Sequence, residues 1–295
     1  MFMNAISRAS TFTRPINTIM RTYGGKQVVP GSGTLFFVNR DGWAVTCKHI
    51  AEMIANADGI NQHYQRFRQD AQRLPHDNKQ QAALKGLEIK YKYQAGSIIQ
   101  LKNNFVDCVD SMTSLTWHMH PSLDLALLHF DGFRQIHYTD VAKFSKNPDA
   151  ARQGKFLCRL GYAFPEFNNF MYNKDKDDIE WTNTGIQHSP QFPIEGMVTR
   201  FLGENGQIYG IELSTPGLRG QSGGPLFDER GVVYGMQFST KHLHLGFDLV
   251  DKEIQVNNQP KKISDYSFLH LGQCIHAEAI KAFLRQHQVA FEEES

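Results

Sequence analysis

From Gly31 onward, apolar positions gather in short runs rich in Val, Phe, Ile and Tyr, separated by turn residues, which is the pattern of antiparallel strands. Leu35-Phe36-Phe37-Val38 and Trp43-Ala44-Val45-Thr46 flank Asn39-Arg40-Asp41-Gly42, a polar link ending in glycine that suits a hairpin. The same design recurs twice. Met197 to Leu202 and Gln207 to Leu213 flank Gly203-Glu204-Asn205-Gly206, and Pro225-Leu226-Phe227 and Val232 to Phe238 flank Asp228-Glu229-Arg230-Gly231. Repeated hairpins predict an all-β fold of antiparallel barrels or sandwiches. Two segments depart from it. Ile60, Tyr64, Phe67, Ala71 and Leu74 step by four, three, four and three, the spacing of one helix face, and Pro75 stops that helix within an insertion spanning about residues 52–88. Ile280, Phe283 and Leu284 predict a second amphipathic helix within Ala277 to Gln288, in a C-terminal segment 276–295. Residues 1–25 read as an N-terminal tail. Tyr172 to Trp181, with its Lys and Asp cluster, reads as an exposed loop.

Composition narrows the functions available. At 295 residues, 41% of them hydrophobic, the chain can fill one large core or two small ones. Lys plus Arg (31) balances Asp plus Glu (30), so no net field recruits nucleic acid or an anionic membrane. No apolar run approaches the ~18 residues of a membrane span, and Met1 to Arg21 holds no apolar block of signal-peptide type. Its Arg8, Arg14 and Arg21, with no acid before Asp41, share only the charge bias of a transit peptide. Cys47, Cys108, Cys158 and Cys274 are far apart and lack C-x-x-C pairing, so free buried thiols and a cytoplasmic location are expected. The pairs His118/His120 and His242/His244 have no third ligand spaced to join them, so neither metal nor cofactor is expected.

The segment with the most specific chemistry is Gly220-Gln221-Ser222-Gly223-Gly224-Pro225-Leu226. A tetrahedral oxyanion needs two backbone N–H groups aimed at one spot, and a chain turned that tightly tolerates little Cβ bulk. Gly220 N–H and Ser222 N–H are the candidate oxyanion donors, and the Ser222 hydroxyl the candidate nucleophile. Upstream, His49 follows a strand, and Asp124 stands alone in Leu123-Asp124-Leu125-Ala126-Leu127-Leu128. A lone carboxylate among leucines is costly without a partner. Beside His49 it would accept the Nδ1 proton and stabilise the imidazolium formed when Ser222 attacks.

Gly31-Ser32-Gly33-Thr34, Asp41 to Thr46 with His49, Asp124 to Leu128, and Gly220 to Pro225 together resemble the chymotrypsin/trypsin-like serine proteases, in particular their disulfide-free bacterial-type branch. The resemblance runs from about Gly31 to His276. It implies two antiparallel six-stranded β-barrels, over residues 26–150 and 151–275, with His49, Asp124 and Ser222 in the cleft between them. It further implies a serine endopeptidase acting through an acyl-enzyme on protein or peptide substrates. By the same resemblance the specificity pocket has Pro216 as its floor and Phe238, Ser239 and Thr240 as a wall. No carboxylate stands there, so cleavage after Lys or Arg is disfavoured. Thr240 narrows the pocket, while Arg219, Lys241 and His242 leave an acidic preference open. Three positions depart from the family pattern. Ile50 follows the histidine where secreted members have cysteine, the His49-to-Asp124 separation is stretched by the insertion, and Gln221 replaces the aspartate that pairs with a new N-terminus in trypsinogen-like zymogens. Control would therefore fall to internal contacts or to a regulatory protein partner docking near Pro216 to Gln221. Two alternatives stay open. Residues 220–224 also satisfy the G-x-S-x-G elbow of α/β-hydrolase esterases, with Asp248 or Asp251 and His270 or His276 completing the set; the second is a non-catalytic peptide-binding module on the protease fold.

Overall fold

Residues 1–295 are described in a computed structural model, except 76, 78, 205, 244–249, 257, 258, 265–268 and 295. His244, Asp248 and the Asn205 position of the second hairpin link lie outside the described residues. The chain is mostly β, with a curled half-barrel sheet.

Strands β1 (Thr13–Thr22), β2 (Val29–Phe37), β3 (Trp43–Thr46), β4 (Ile98–Phe105), β5 (Ser114–Met119) and β6 (Ala126–Asp131) form one sheet in the order β4-β1-β2-β3-β6-β5. Of the remaining strands, β7 (Lys143–Phe144), β8 (Phe156–Arg159), β11 (Ile194–Glu204), β12 (Gln207–Leu213), β13 (Pro225–Phe227), β14 (Val233–Leu243), β17 (Leu269–His276) and β18 (Glu292–Glu293) build an eight-stranded sheet. Two further pairs stand apart, β9 (Phe170–Asn173) with β10 (Asp178–Trp181) and β15 (Lys252–Val256) with β16 (Gln259–Ile263). Helices α1 (Met3–Phe12), α2 (Lys48–Gln72), α3 (Gln80–Tyr91) and α4 (Ala277–Gln286) complete the chain. The central core draws on both sheets. Phe36 and Phe130 from the first meet Phe144 and Phe227 from the second, with Phe12 at the end of α1 and Phe283 of α4.

Several expectations need correction. Residues 1–25 are not a tail: α1 buries Ala5, Ala9 and Phe12, and β1 pairs with both β2 and β4. The alternation in β1 is hidden because Asn17, Thr18 and Arg21 are buried alongside Ile16 and Ile19. The helix after β3 begins at Lys48 rather than near 52, since Ile50, Ala51, Ile54 and Ala57 already belong to its buried face. Lys143 and Phe144, assigned above to the first barrel, hydrogen-bond into the eight-stranded sheet. After α4 the C-terminal segment adds β18 beside β7.

Tyr172 to Trp181 is a hairpin rather than a loop, and its polar cluster has a structural reason. Arg21 is buried in β1 and needs a counter-charge, which Asp177 supplies at 2.7 Å from the hairpin turn. The same carboxylate accepts hydrogen bonds from Tyr64 (2.8 Å) and Tyr172 (2.6 Å), tying β1, α2 and the hairpin together. Asp177→Ala would strand a buried guanidinium, so a loss on the order of 3 kcal/mol in unfolding free energy is expected. Urea unfolding measures it; a midpoint equal to that of the parent would show that Arg21 is held by its neutral acceptors alone.

Candidate active site

Strand pairing brings His49 and Asp124 to one edge. In the β3–β6 pair Thr46 lies opposite Ala126; His49 comes three residues after the first and Asp124 two before the second. His49 sits in the first turn of α2, whose N-cap position, Cys47, provides no side-chain cap. Asp124 fills that role. Its Oδ1 accepts the His49 backbone N–H at 3.0 Å, and its Oδ2 accepts the ring Nδ1–H at 2.7 Å. Partial burial works against ionisation of Asp124, but the hydrogen bonds from the His49 ring and backbone outweigh it and hold the carboxyl below its ordinary pKa.

Ser222 lies between β12 and β13 on a turn that two glycines make possible. Gly220 has φ +88° and Gly223 φ +87°. A Cβ at the first would overlap the Tyr162 carbonyl oxygen, and at the second the Thr34 carbonyl oxygen. Thr34 of β2 clamps this turn to the first sheet. Its N–H donates to Ser222 O (3.0 Å), its hydroxyl to Gly220 O (2.7 Å), and its own carbonyl accepts the Thr46 hydroxyl (2.7 Å). Gln221 is buried; its amide donates to Phe192 O (2.7 Å) and accepts from Leu218 N–H (3.0 Å). Among the described residues, no hydrogen-bond partner meets the N–H of Gly220 or of Ser222. Two unpaired N–H groups on one tight turn are candidates for holding an oxyanion.

His49, Ser222, Pro216, Phe238, Ser239 and Thr240 line one cleft of about 660 Å³. Gln237, His242 and His270 line it too, though sequence reasoning gave Gln237 no role. The two histidines face each other across β14 and β17, Nδ1 to Nδ1 at 2.7 Å. Other candidates go elsewhere. His276 caps α4 by accepting the Glu278 N–H at 3.1 Å, and His120 accepts the Leu123 N–H at 2.9 Å. His118 is stacked between Trp43 and His287. Asp251 is exposed beside Ser264. The chain after Ser222 enters strand β13, whereas an esterase elbow must launch a helix.

The ligand atoms of Cys47, His49 and Asp124 lie within 4.8 Å of one another. Burial first, then the Asp124 charge, raises the Cys47 thiol well above its ordinary pKa, so at neutral pH it is protonated and a poor metal ligand. All four cysteines are buried and unpaired.

The family model described as a trypsin-like peptidase domain matches residues 31–236. No curated protein sequence matches the chain. Among solved structures, the HtrA-type protease AlgW with decapeptide is similar at a TM-score of 0.51 and 14% identity, over 98% of this chain and 68% of that chain. AlgW with tripeptide gives 0.49 and 14% over 98% and 65%, so the chain spans less than two thirds of that relative's length. The Rv3671c protease from M. tuberculosis, active form, gives 0.48 and 12% over 99% and 88%.

Proposed function

The chain belongs to the trypsin-like peptidase family, and from that membership we propose that it is a serine endopeptidase in which Ser222 is the nucleophile, His49 the general base and acid, and Asp124 the orienting carboxylate. The observation that carries this reading is that His49, hydrogen-bonded to Asp124, stands on the wall of the cleft that Ser222 also lines. With Nδ1–H held by Asp124, the His49 lone pair is at Nε2, the atom that would take the Ser222 proton as Oγ attacks the scissile carbonyl. The N–H groups of Gly220 and Ser222 would receive the oxyanion. His49 would then protonate the leaving amine, and water would release the acyl group from Ser222 by the reverse sequence.

The finer architecture belongs to the same proposal: the sheet of β1–β6 and the eight-stranded sheet as two barrels, with substrate lying between them. Gln221 supports a mechanism without zymogen cleavage, because its two hydrogen bonds hold the oxyanion turn where an ammonium would require a carboxylate. A regulatory protein would act through that turn or through α2 and α3. A reducing compartment such as the cytoplasm suits four unpaired buried cysteines. Among the described residues, no helix is long and apolar enough to cross a membrane.

A fluorophosphonate probe tests the assignment. Mass mapping is expected to find the label on Ser222, with labelling lost in His49→Ala and kept in His276→Ala. Label on another serine, or dependence on His276 instead of His49, would favour a different hydrolase.

A further inference from the structure

Behind the cleft lies a charge that the proposed chemistry leaves unused. Arg159, at the end of β8, is completely buried. Its Nη1 donates to Gln237 Oε1 at 2.8 Å, and its Nη2 to Thr215 O at 3.1 Å and Thr215 Oγ1 at 2.6 Å. Every one of these acceptors is neutral. Among the described residues its Nε–H has no partner, and no carboxylate pairs with the guanidinium. The neighbouring Cys158 and Cys274 thiols are buried and protonated, their pKa values each pushed up to about 12 by burial above all. Arginine keeps its charge under all ordinary conditions. A buried cation without a counter-ion is costly to the fold.

The contacts of Arg159 lead into the cleft. Thr215 precedes Pro216, and Gln237 is itself a lining residue, though only 2% exposed. The Gln237 amide rests against Gly217, where any Cβ would overlap its Nε2. One Nε2 hydrogen goes to Ser239 O at 2.6 Å; the second has no partner among the described residues. A guanidinium bonded to Oε1 polarises the amide and makes that second N–H a stronger donor. At the mouth, Arg219 and the His242–His270 pair line the cleft, and no Asp or Glu is among its described lining residues.

We propose that this pocket takes a carboxylate side chain, glutamate or aspartate, at the substrate residue preceding the cut, with Gln237 as its contact and Arg159 as the buried counter-charge acting through Gln237. The inference rests on the peptidase reading above and assigns its substrate class. An anionic side chain supplies the charge that the fold leaves unmatched. Its neutral isostere, glutamine or asparagine, gains nothing from that field, and lysine or arginine would set a second cation against a buried one.

The test is a competition between peptides identical except at that residue, with Glu, Gln, Asp, Asn, Leu and Lys as the variants. A ratio of kcat/KM values from one tube is independent of how much enzyme is folded. Glu or Asp is expected to be cut at least about tenfold faster than its own amide. The Glu/Gln and Asp/Asn arms say which acid fits. In Arg159→Met the ratio should collapse toward one, and in Gln237→Glu, which places the carboxylate inside the protein, it should fall below one. A merely structural Arg159 would alter stability and leave the ratio alone. Preference for Leu or Lys in the parent enzyme, or an unchanged ratio in both variants, would overturn the proposal. Should Arg159→Met fail to fold, Gln237→Glu decides by itself. Calorimetry separates the two readings, because Ser222→Ala should bind a product peptide ending in Glu or Asp more tightly than one ending in the matching amide, whether or not the parent cleaves anything. Equal binding would refute the acidic pocket, whereas charge-selective binding with no turnover of any peptide would refute the peptidase and leave the pocket standing.

Discussion

Ser222→Ala is expected to lower peptide turnover on the order of 10⁶-fold while the protein stays folded. The hydroxyl is a small, half-buried group on the cleft wall, so its removal leaves no large cavity. Catalysis would lose its covalent step. The proposed oxyanion donors and the cleft would remain, because Gly220 and Gly223 keep their left-handed backbone and Thr34 still clamps the turn through backbone groups of Ser222 and Gly220. A residual rate of roughly 10³–10⁴ over water is therefore expected. Burst and steady-state kinetics with a fluorogenic peptide, beside an unfolding curve, would measure both halves of the claim. Turnover within tenfold of the parent would remove Ser222 from the mechanism.

The hairpins were readable because their punctuation is local. Gly42 and Gly231 close their links at φ +83° and +80°, conformations that glycine adopts without strain, and apolar strands flank each one. The catalytic candidates were readable for a different reason. Asp124 is an acid in an apolar run and Ser222 a serine among glycines, and each violates its surroundings in a way that demands a partner. Arg159 breaks the apolar run Phe156-Leu157-Cys158-Arg159-Leu160 by the same criterion, yet no sequence feature says that its partners are Gln237 and Thr215, 78 and 56 residues away. Strand β1 was illegible because its interior is polar. Arg21 is buried against an acid 156 residues distant, and Thr18 bonds Asn103 at 3.1 Å across the sheet. Pairings of that separation leave no periodic trace. Ile50, Ile54 and Ala57 continue the helical spacing backward from Ile60, but Cys47 offers no capping side chain to mark where α2 begins.

A further large effect is expected for Asp124→Asn, a drop in turnover of about 10⁴-fold with the two side chains still in contact. Asp124 has two tasks, accepting the His49 backbone N–H with Oδ1 and the ring Nδ1–H with Oδ2. Asparagine has only one acceptor oxygen. The helix N–H cannot change from donor to acceptor, so the amide oxygen stays with it and the NH₂ turns toward the ring. Nδ1 must then accept, which moves the imidazole proton to Nε2, the atom that should receive the Ser222 proton. Asp124→Ala loses the helix cap as well, and about 1 kcal/mol of stability with it; Asp124→Asn should preserve the cap and isolate the tautomer effect. The pH dependence provides a second reading. Asp124 is held below its ordinary pKa in the folded protein. Its contribution to stability is therefore complete above the unfolded value, about 4, and is lost as pH falls through the lower folded value. The stability gap between the parent and Asp124→Asn should be constant near neutrality and shrink below about pH 4. A variant that keeps a tenth of the activity, or a gap that widens on acidification, would mean that Asp124 caps α2 and does nothing for His49.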